Sequence, residues 1–578
     1  MADRGVTRER LIGWLLPAGL AFVILGPLLL GRGYALLGDM VFVPDQPWND
    51  RWLGLDGSVP RAVPTDAVTW LLGLMLPGDL VQKLLLFAIL LLAGAGAARL
   101  THGYSAWARA SAVVLCMWNP YVYERLAIGQ WALLAGYAAL PWVAHLGLRM
   151  AAGERRAGGL LLVPLAAAAW TSPTGGVLAL GVLMAVLAPR LRLLATGAAL
   201  GVLVNLPWLV PGFLNGSDLA PDPFGVSAFA ARADTPWGEL GSLATLGGIW
   251  KSSVVPMERG SALLTGIALV LTLAAFAALV LLVRSDPRRF GGLLAVGLVG
   301  LLIAVTPTVA PGRDAIVWLV DNVPGAGLLR DSQKWVALMV PGLVLGLAHG
   351  LDRIAEVGRE RPGRWLRPIA ALLPICLLPS LAWGLLAKLE PHDYPQDWFA
   401  ARTLLTEAGA ADDRSVVLPF GLYRRFDWNG GHAVLDPAWR FFPGEVITDD
   451  LLEVPDGAVA GEDGVAAEIR AAADDPRRLD EVLSEHGVRW VIVHLDAGES
   501  QVPLPSGTRL FSGERLAVID RGAEYRAPEA DSRDLLLALD LGVMIVTLAG
   551  IALTMVGGRV DREVGSQSQS RKADGGNP

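Results

Sequence analysis

Charge is scarce in this sequence. Only 18% of its 578 residues are Asp, Glu, Lys or Arg, whereas a soluble domain carries about a quarter. Cysteine is scarcer: Cys116 and Cys376 each sit in an apolar run, which argues against a disulfide framework or a thiolate metal site. His432, His486 and His494 lack zinc-ligand spacing. There is no Walker A, HExxH, GxSxG or dinucleotide-binding glycine fingerprint, so nucleotide-dependent and metalloprotease functions have no support. No motif supports a divalent metal, and no cofactor is expected.

Apolar residues make up 53% of the chain, and the mean hydropathy is +0.47. They come in blocks of about twenty, the length a helix needs to cross hydrocarbon. About twelve candidate spans lie near 11–31, 80–99, 108–119, 131–149, 158–173, 175–189, 193–213, 261–283, 290–309, 335–351, 367–388 and 533–556. The first follows Arg4, Arg8 and Arg10 like a signal peptide. It lacks a small-residue cleavage site and reads as a retained span.

The basic residues set the expected orientation, because cytoplasmic loops hold the Lys/Arg excess. With the N-terminus inside, the inner loops contain Arg99, Arg109, Arg149, Arg155, Arg156, Arg190, Arg192, Arg284, Arg288, Arg289, Arg353, Arg359, Arg361, Arg364 and Arg367. Arg559, Arg562, Arg571 and Lys572 then place the C-terminal tail inside as well. The expected location is the cell membrane, multi-pass, with both termini cytoplasmic.

The expected organisation is a polytopic membrane domain (1–388), a soluble extracytoplasmic domain (389–530), a last transmembrane helix (531–556) and a disordered tail (557–578). Outer loops fall at 32–79, 214–260 and 310–334. Within the soluble segment, "RSVVLPF" and "VRWVIVHLD" read as buried strands. "PQDWFAARTLLTEAG" and "DDPRRLDEVLSEHG" have helical periodicity. That alternation predicts an α/β or α+β domain.

Three outer stretches could carry chemistry. "GYALLGDMVFVPDQPWNDRW" puts Asp39, Asp45 and Asp50 just past the first span. A carboxylate near the membrane surface can take a proton from a hydroxyl or bind a metal; the alternative is a plain acidic loop. Farther along, residues 67–77 predict a helix too short to span, either lying in the interface with Trp70 as its anchor or packing on the bundle. "WNPYVYERLAIGQW" carries the adjacent charges Glu124 and Arg125 between two spans, where ionisable groups are costly. Its functional reading gives Arg125 to a phosphate and Gln130 to a sugar or phosphate oxygen. In "GLLRDSQKW", Arg330 and Lys334 are four apart, share one face if helical, and are suited to a phosphate. The alternative is an ion pair with Asp331. Trp250, Trp428 and His432 are weaker candidates for sugar contact, and Lys251 is weaker still.

These pieces together resemble the GT-C superfamily of membrane glycosyltransferases. The resemblance rests on "GD" (Gly38-Asp39) after the first span, "NPYVYERLAIGQW", and "LLRDSQKW" before a small-residue-rich span. The last looks like a stretch in the membrane part of actinobacterial arabinofuranosyltransferases, and the Ala/Arg/Gly-rich composition is similar. "SEHGVRWVIV" is similar to an element of YfhO-like membrane proteins. The resemblance implies a mainly α bundle of about 12 transmembrane helices in a GT-C-like arrangement. It also implies a polyprenyl-phosphate sugar donor, an envelope glycan or lipid acceptor in cell wall biosynthesis, and no nucleic acid partner. Asp39 would be the catalytic base and Arg330, Lys334 and Arg125 the donor-phosphate ligands. Asp45, Glu124 and Gln130 would be weaker substrate contacts. No D-x-D pair accompanies Asp39, and the long carbohydrate-binding regions of the large arabinosyltransferases are missing. The alternative class is a non-catalytic transporter or envelope-assembly scaffold on a degenerate fold of this kind.

Overall fold

A computed structural model of the protein describes residues 9–57, 62–215, 222–357, 363–497, 504–522 and 532–574. Arg4, Arg8, Arg359 and Arg361, used above for orientation, lie outside them. So do the side chains of Arg364, Arg367 and every residue after Met555.

Among the described residues, eight helices are long and apolar enough to cross a membrane. A ninth span results if Pro368–Leu377 and Pro379–Ala387, bent by 73°, count as one. The other three of the twelve expected blocks form shorter helices. Ala106–Met117 is a helix of 12 residues, Pro173–Leu187 one of 15, and 155–171 is split between Arg155–Leu160 and Leu162–Thr171. The predicted outer loop 310–334 contains the helix Ala310–Asn322. The last helix runs unbroken from Arg533 to Asp574. Extending a formed helix needs no new nucleus.

The first-loop helix forms at Thr65–Gly73. Thr65 Oγ1 donates to the Thr171 carbonyl at 2.6 Å and docks the helix on the bundle. Leu71, Leu74 and Met75 stay exposed, as an interfacial helix requires.

Among the described residues, the segment after residue 389 holds nine strands: β1 (Arg414–Leu418), β2 (Tyr423–Arg425), β3 (Ala433–Leu435), β4 (Glu445–Ile447), β5 (Leu452–Val454), β6 (Gly457–Val459), β7 (Val488–His494), β8 (Thr508–Ser512) and β9 (Leu516–Asp520). Five form a sheet in the order β4-β1-β7-β9-β8. β4, β1 and β7 are parallel; β9 and β8 are added antiparallel. The two strings read as strands are β1 and β7, neighbours at the sheet centre. The two periodic strings form the helices Gln396–Glu407 and Pro476–Glu485.

Successive side chains on a strand face opposite sides, and here the two sides differ. Val416, Leu418, Val491 and Val493 pack against Ile469, Leu479 and Leu483 in a core of their own. Val417, Trp490 and Ile492 belong to the core that continues into the helical bundle. Polar ties reinforce the continuity. Arg440 pairs with buried Asp66 of the first loop at 2.8 Å, and Tyr394 Oη donates to the Phe42 carbonyl at 2.9 Å. The sheet-bearing segment is therefore tied to the first loop.

Candidate active site

Two glycines bring the first loop against the stretch between two spans. Gly38 has φ +56°, and a Cβ there would lie 2.0 Å from the Ile128 carbonyl oxygen. Gly129 has φ +86°, and its Cβ would lie 2.3 Å from the Leu37 oxygen. Backbone hydrogen bonds join the layers: Asp39 N–H donates to Ile128, Gly38 N–H to Ala433, and Leu435 N–H to Gly38. Asp39 thus sits between the membrane bundle and the β2–β3 hairpin of the soluble segment. Gly38→Ala is expected to destabilise the protein by roughly 1–3 kcal/mol through backbone strain and to lower any Asp39-dependent activity. Thermal unfolding in detergent, measured beside activity, checks both.

The partly exposed Asp39 carboxylate accepts two hydrogen bonds. One comes from Gln130 Nε2 at 3.2 Å and the other, a short one, from Tyr423 Oη. Burial first, and the Asp39 charge second, push the Tyr423 phenol well above its ordinary value, so it remains a donor. A carboxylate offers about four lone-pair positions, so acceptor capacity remains for a substrate hydroxyl. Lys251 stands over the Tyr423 ring, 5.4 Å from its centroid. Burial draws its ammonium below the usual lysine range, while Asp39 opposes that shift.

Behind Gln130 the polar track continues inward. Arg125 Nη1 donates to Gln130 Oε1 at 2.5 Å and to Asp331 Oδ2 at 2.9 Å. Its Nη2 reaches Asp331 Oδ1 at 3.3 Å and makes a short bond to Gln333 Oε1. Asp331 Oδ2 also meets Lys334 Nζ at 3.5 Å. Burial disfavours the Asp331 charge, but Arg125 and then Lys334 overcome it and hold the carboxyl below its usual range. Asp39, Gln130, Arg125, Asp331 and Lys334 therefore form one connected path.

Several of the expected roles change. Arg125 has a side chain 0% exposed, and its Nη atoms are engaged by Gln130, Asp331 and Gln333. Glu124 is not its ion partner. That carboxyl is wholly buried, accepts from Gln333 Nε2 at 3.1 Å, and is pushed well above the carboxylate range by burial and then by Asp234. Arg330 and Lys334 do not share a helix face. Residues Ser332–Met339 form a 3-10 helix with Arg330 lying before it, and a period of three separates positions four apart. Arg330 turns to the soluble segment and pairs with Glu462 at 3.3 Å. Lys334 alone of the two joins the Asp39 path, with a side chain 23% exposed.

The weaker candidates are placed as follows. Asp45 is mostly exposed and pairs with Arg402 at 2.7 Å. Asp50, on the same acidic loop, pairs with Arg533 of the last helix at 2.9 Å. Trp250 packs on Phe229 with centroids 5.0 Å apart. Trp428 lies in an aromatic cluster with Tyr394, Trp398 and Phe426. His432 is half-buried beside Gly430, and burial followed by Lys388 lowers its imidazole. Tyr423 joins the site from outside any motif, whereas Asp331 and Gln333 lie within "LLRDSQKW", where only the two cations stood out as functional groups. The string "RRFDWNGGHAVLD" directly after Tyr423 is dense in aromatics and charges, but nothing in it signals a partner in the first loop. Among the described residues no group of three or more His, Cys, Asp or Glu is arranged to hold a metal ion.

Fold and apolar helices define a membrane protein. The chain shares its fold with arabinofuranosyltransferase AftD from Mycobacteria, solved by cryo-electron microscopy, with a TM-score of 0.54 and 17% identity. That match covers 88% of this chain and 40% of the enzyme. Two structures of a mutant form of AftD match similarly, with TM-scores of 0.52 and 0.51 at 17% and 16% identity. They cover 89% and 88% of this chain, and 42% and 41% of theirs. This chain thus spans well under half the length of these neighbours. No family model and no curated protein matches the sequence.

Removing the Tyr423 hydroxyl isolates its role. Tyr423→Phe keeps the packing but takes one donor from Asp39, and a hydrogen bond to a charged group is worth about 1.5–3 kcal/mol. A fall of about tenfold or more in turnover is expected, with little change in unfolding temperature. Unchanged turnover would make the contact incidental.

Proposed function

We propose that this protein is a membrane glycosyltransferase of the GT-C type. It transfers a sugar from a polyprenyl-phosphate donor to an envelope glycan or lipid hydroxyl on the outer face of the membrane. The observation that carries the reading is the arrangement at Asp39. A partly exposed carboxylate is held by Gln130 and Tyr423, with the part-exposed lysines Lys251 and Lys334 in the same polar region. The shared fold with a membrane arabinofuranosyltransferase supports it.

In the proposed mechanism Asp39 removes the proton of the acceptor hydroxyl as its oxygen attacks the anomeric carbon. The bond from that carbon to the phosphate oxygen breaks, and configuration inverts. The leaving polyprenyl phosphate carries the electron pair, stabilised by Lys334 and Lys251 through charge-assisted hydrogen bonds. Arg125 acts through its neighbours, fixing Gln130 on one side and Asp331 on the other. The basic-residue distribution supports cytoplasmic termini and an extracytoplasmic soluble domain at 389–530.

The test is a donor screen with purified protein in lipid nanodiscs. It offers polyprenyl-phosphate pentoses and hexoses beside nucleotide sugars, and follows loss of the labelled sugar from its lipid. Turnover of a polyprenyl-phosphate sugar alone is expected. Turnover of nucleotide sugars alone, or donor binding without turnover, rejects the reading; the latter points to the non-catalytic class.

A further inference from the structure

A second site lies away from Asp39. The helices Gly78–Leu100, Trp131–Ala151 and Leu162–Thr171 enclose a lateral cavity of about 550 Å³. Its floor is Ala135, Ala138 and Ala139, a spacing that puts three small side chains on one helix face. Ile89, Leu92 and Val163 form the walls. Trp142 Nε1 is bonded to the Leu92 carbonyl at 2.8 Å, so it makes no polar demand on an occupant.

The two ends of the cavity differ. Trp131 and Thr171 line one end, next to Gln130 of the Asp39 site. Arg99, His145 and Arg149 line the other. The rise from Trp131 to Arg149 is about 27 Å along the helix, close to the thickness of the hydrocarbon layer. The basic end therefore falls at the opposite membrane surface, which the charge distribution assigns to the inner leaflet.

The protein balances the charges at that end only in part: Glu154 neutralises Arg149, and Glu9 lies within electrostatic reach of Arg99. Arg99 is exposed and, among the described residues, forms no ion pair. Arg149 binds Glu154 through Nε and Nη2, which leaves Nη1. Glu9 is already held by Arg109 at 2.7 Å and by His102 at 3.2 Å. An apolar channel open to lipid and ending in two guanidinium groups matches one chemistry, an acyl chain joined to an anionic headgroup. We infer that this cavity holds one anionic phospholipid of the inner leaflet. Its acyl chain lies over Ala135, Ala138 and Ala139, and its phosphate rests against Arg99 and Arg149. This inference does not depend on the glycosyltransferase reading, since no residue of the Asp39 path contributes to it.

Native mass spectrometry of the full-length protein in mild detergent tests it, with phosphatidylglycerol and phosphatidylcholine offered in competition. Wild type is expected to retain one phosphatidylglycerol at least tenfold over phosphatidylcholine. Arg99→Glu, at an exposed position that leaves the fold intact, is expected to lower that retention about tenfold. Ala135→Phe is expected to remove it by filling the channel. Equal retention of the two lipids overturns the inference, as does Arg99→Glu binding phosphatidylglycerol like wild type. A third arm adds polyprenyl phosphate. Displacement of phosphatidylglycerol by an equimolar amount would assign the cavity to the polyprenyl chain instead.

Discussion

Asp39→Asn is expected to lower turnover of a polyprenyl-phosphate sugar by roughly a hundred- to ten-thousandfold, the usual contribution of a positioned general base. The loss should fall on kcat. Lys251 and Lys334 are untouched, so donor binding and KM should change little. The fold should also survive. Asn is nearly isosteric, its amide oxygen can still accept from Tyr423, and the loop is fixed by backbone bonds from Gly38 and Asp39. Measuring turnover, donor affinity and unfolding temperature on the same preparation separates the outcomes. Full turnover in Asp39→Asn removes Asp39 as the base. A collapse of stability would instead make the carboxylate a structural group.

Arg125→Leu should give the largest stability loss. Its guanidinium is fully buried and meets both oxygens of Asp331. Without Arg125 the buried Asp331 keeps only Lys334, at 3.5 Å, so the loss should approach the roughly 3–5 kcal/mol that breaking a buried ion pair costs. Removing both partners is far milder, so Arg125→Leu combined with Asp331→Leu should recover most of the unfolding temperature in detergent. Arg330→Ala is the comparison. Its pair with Glu462 is part-exposed, and such pairs contribute about 0–1 kcal/mol. The double variant also separates bracing from stability. With Arg125 gone, Gln130 loses its fixed orientation toward Asp39, so turnover should stay low even where stability returns. A double variant that is both stable and fully active would remove Arg125 from the site.

The residues differ in how far they can be read from sequence. Eight membrane helices, the interfacial helix near Trp70, and strands β1 and β7 are legible because each depends on composition over a short window. A run of about twenty apolar residues is sufficient for a span, and a β-branched run between polar residues marks a buried strand. The blocks at 106–117 and 173–187 form helices of 12 and 15 residues, and composition alone does not separate lipid from protein interior, which select the same side chains. Asp39 stands out by its position just past the first span. Its partners do not, because Tyr423 lies 384 positions away.

The sequence by itself determined a membrane chain with several apolar helices, a mixed helix-and-strand segment before the last of them, and a loop acid just past the first. These follow from local properties: hydropathy, periodicity and charge bias. Only the tertiary structure decided how the charged candidates divide. Arg125 and Asp331, 206 positions apart, become one buried pair. Lys334 joins the Asp39 path, while Arg330, four residues earlier, is drawn to Glu462. Ion pairing acts over a few ångströms through space, and neither the spacing of residues nor their charge says which carboxylate each cation will meet.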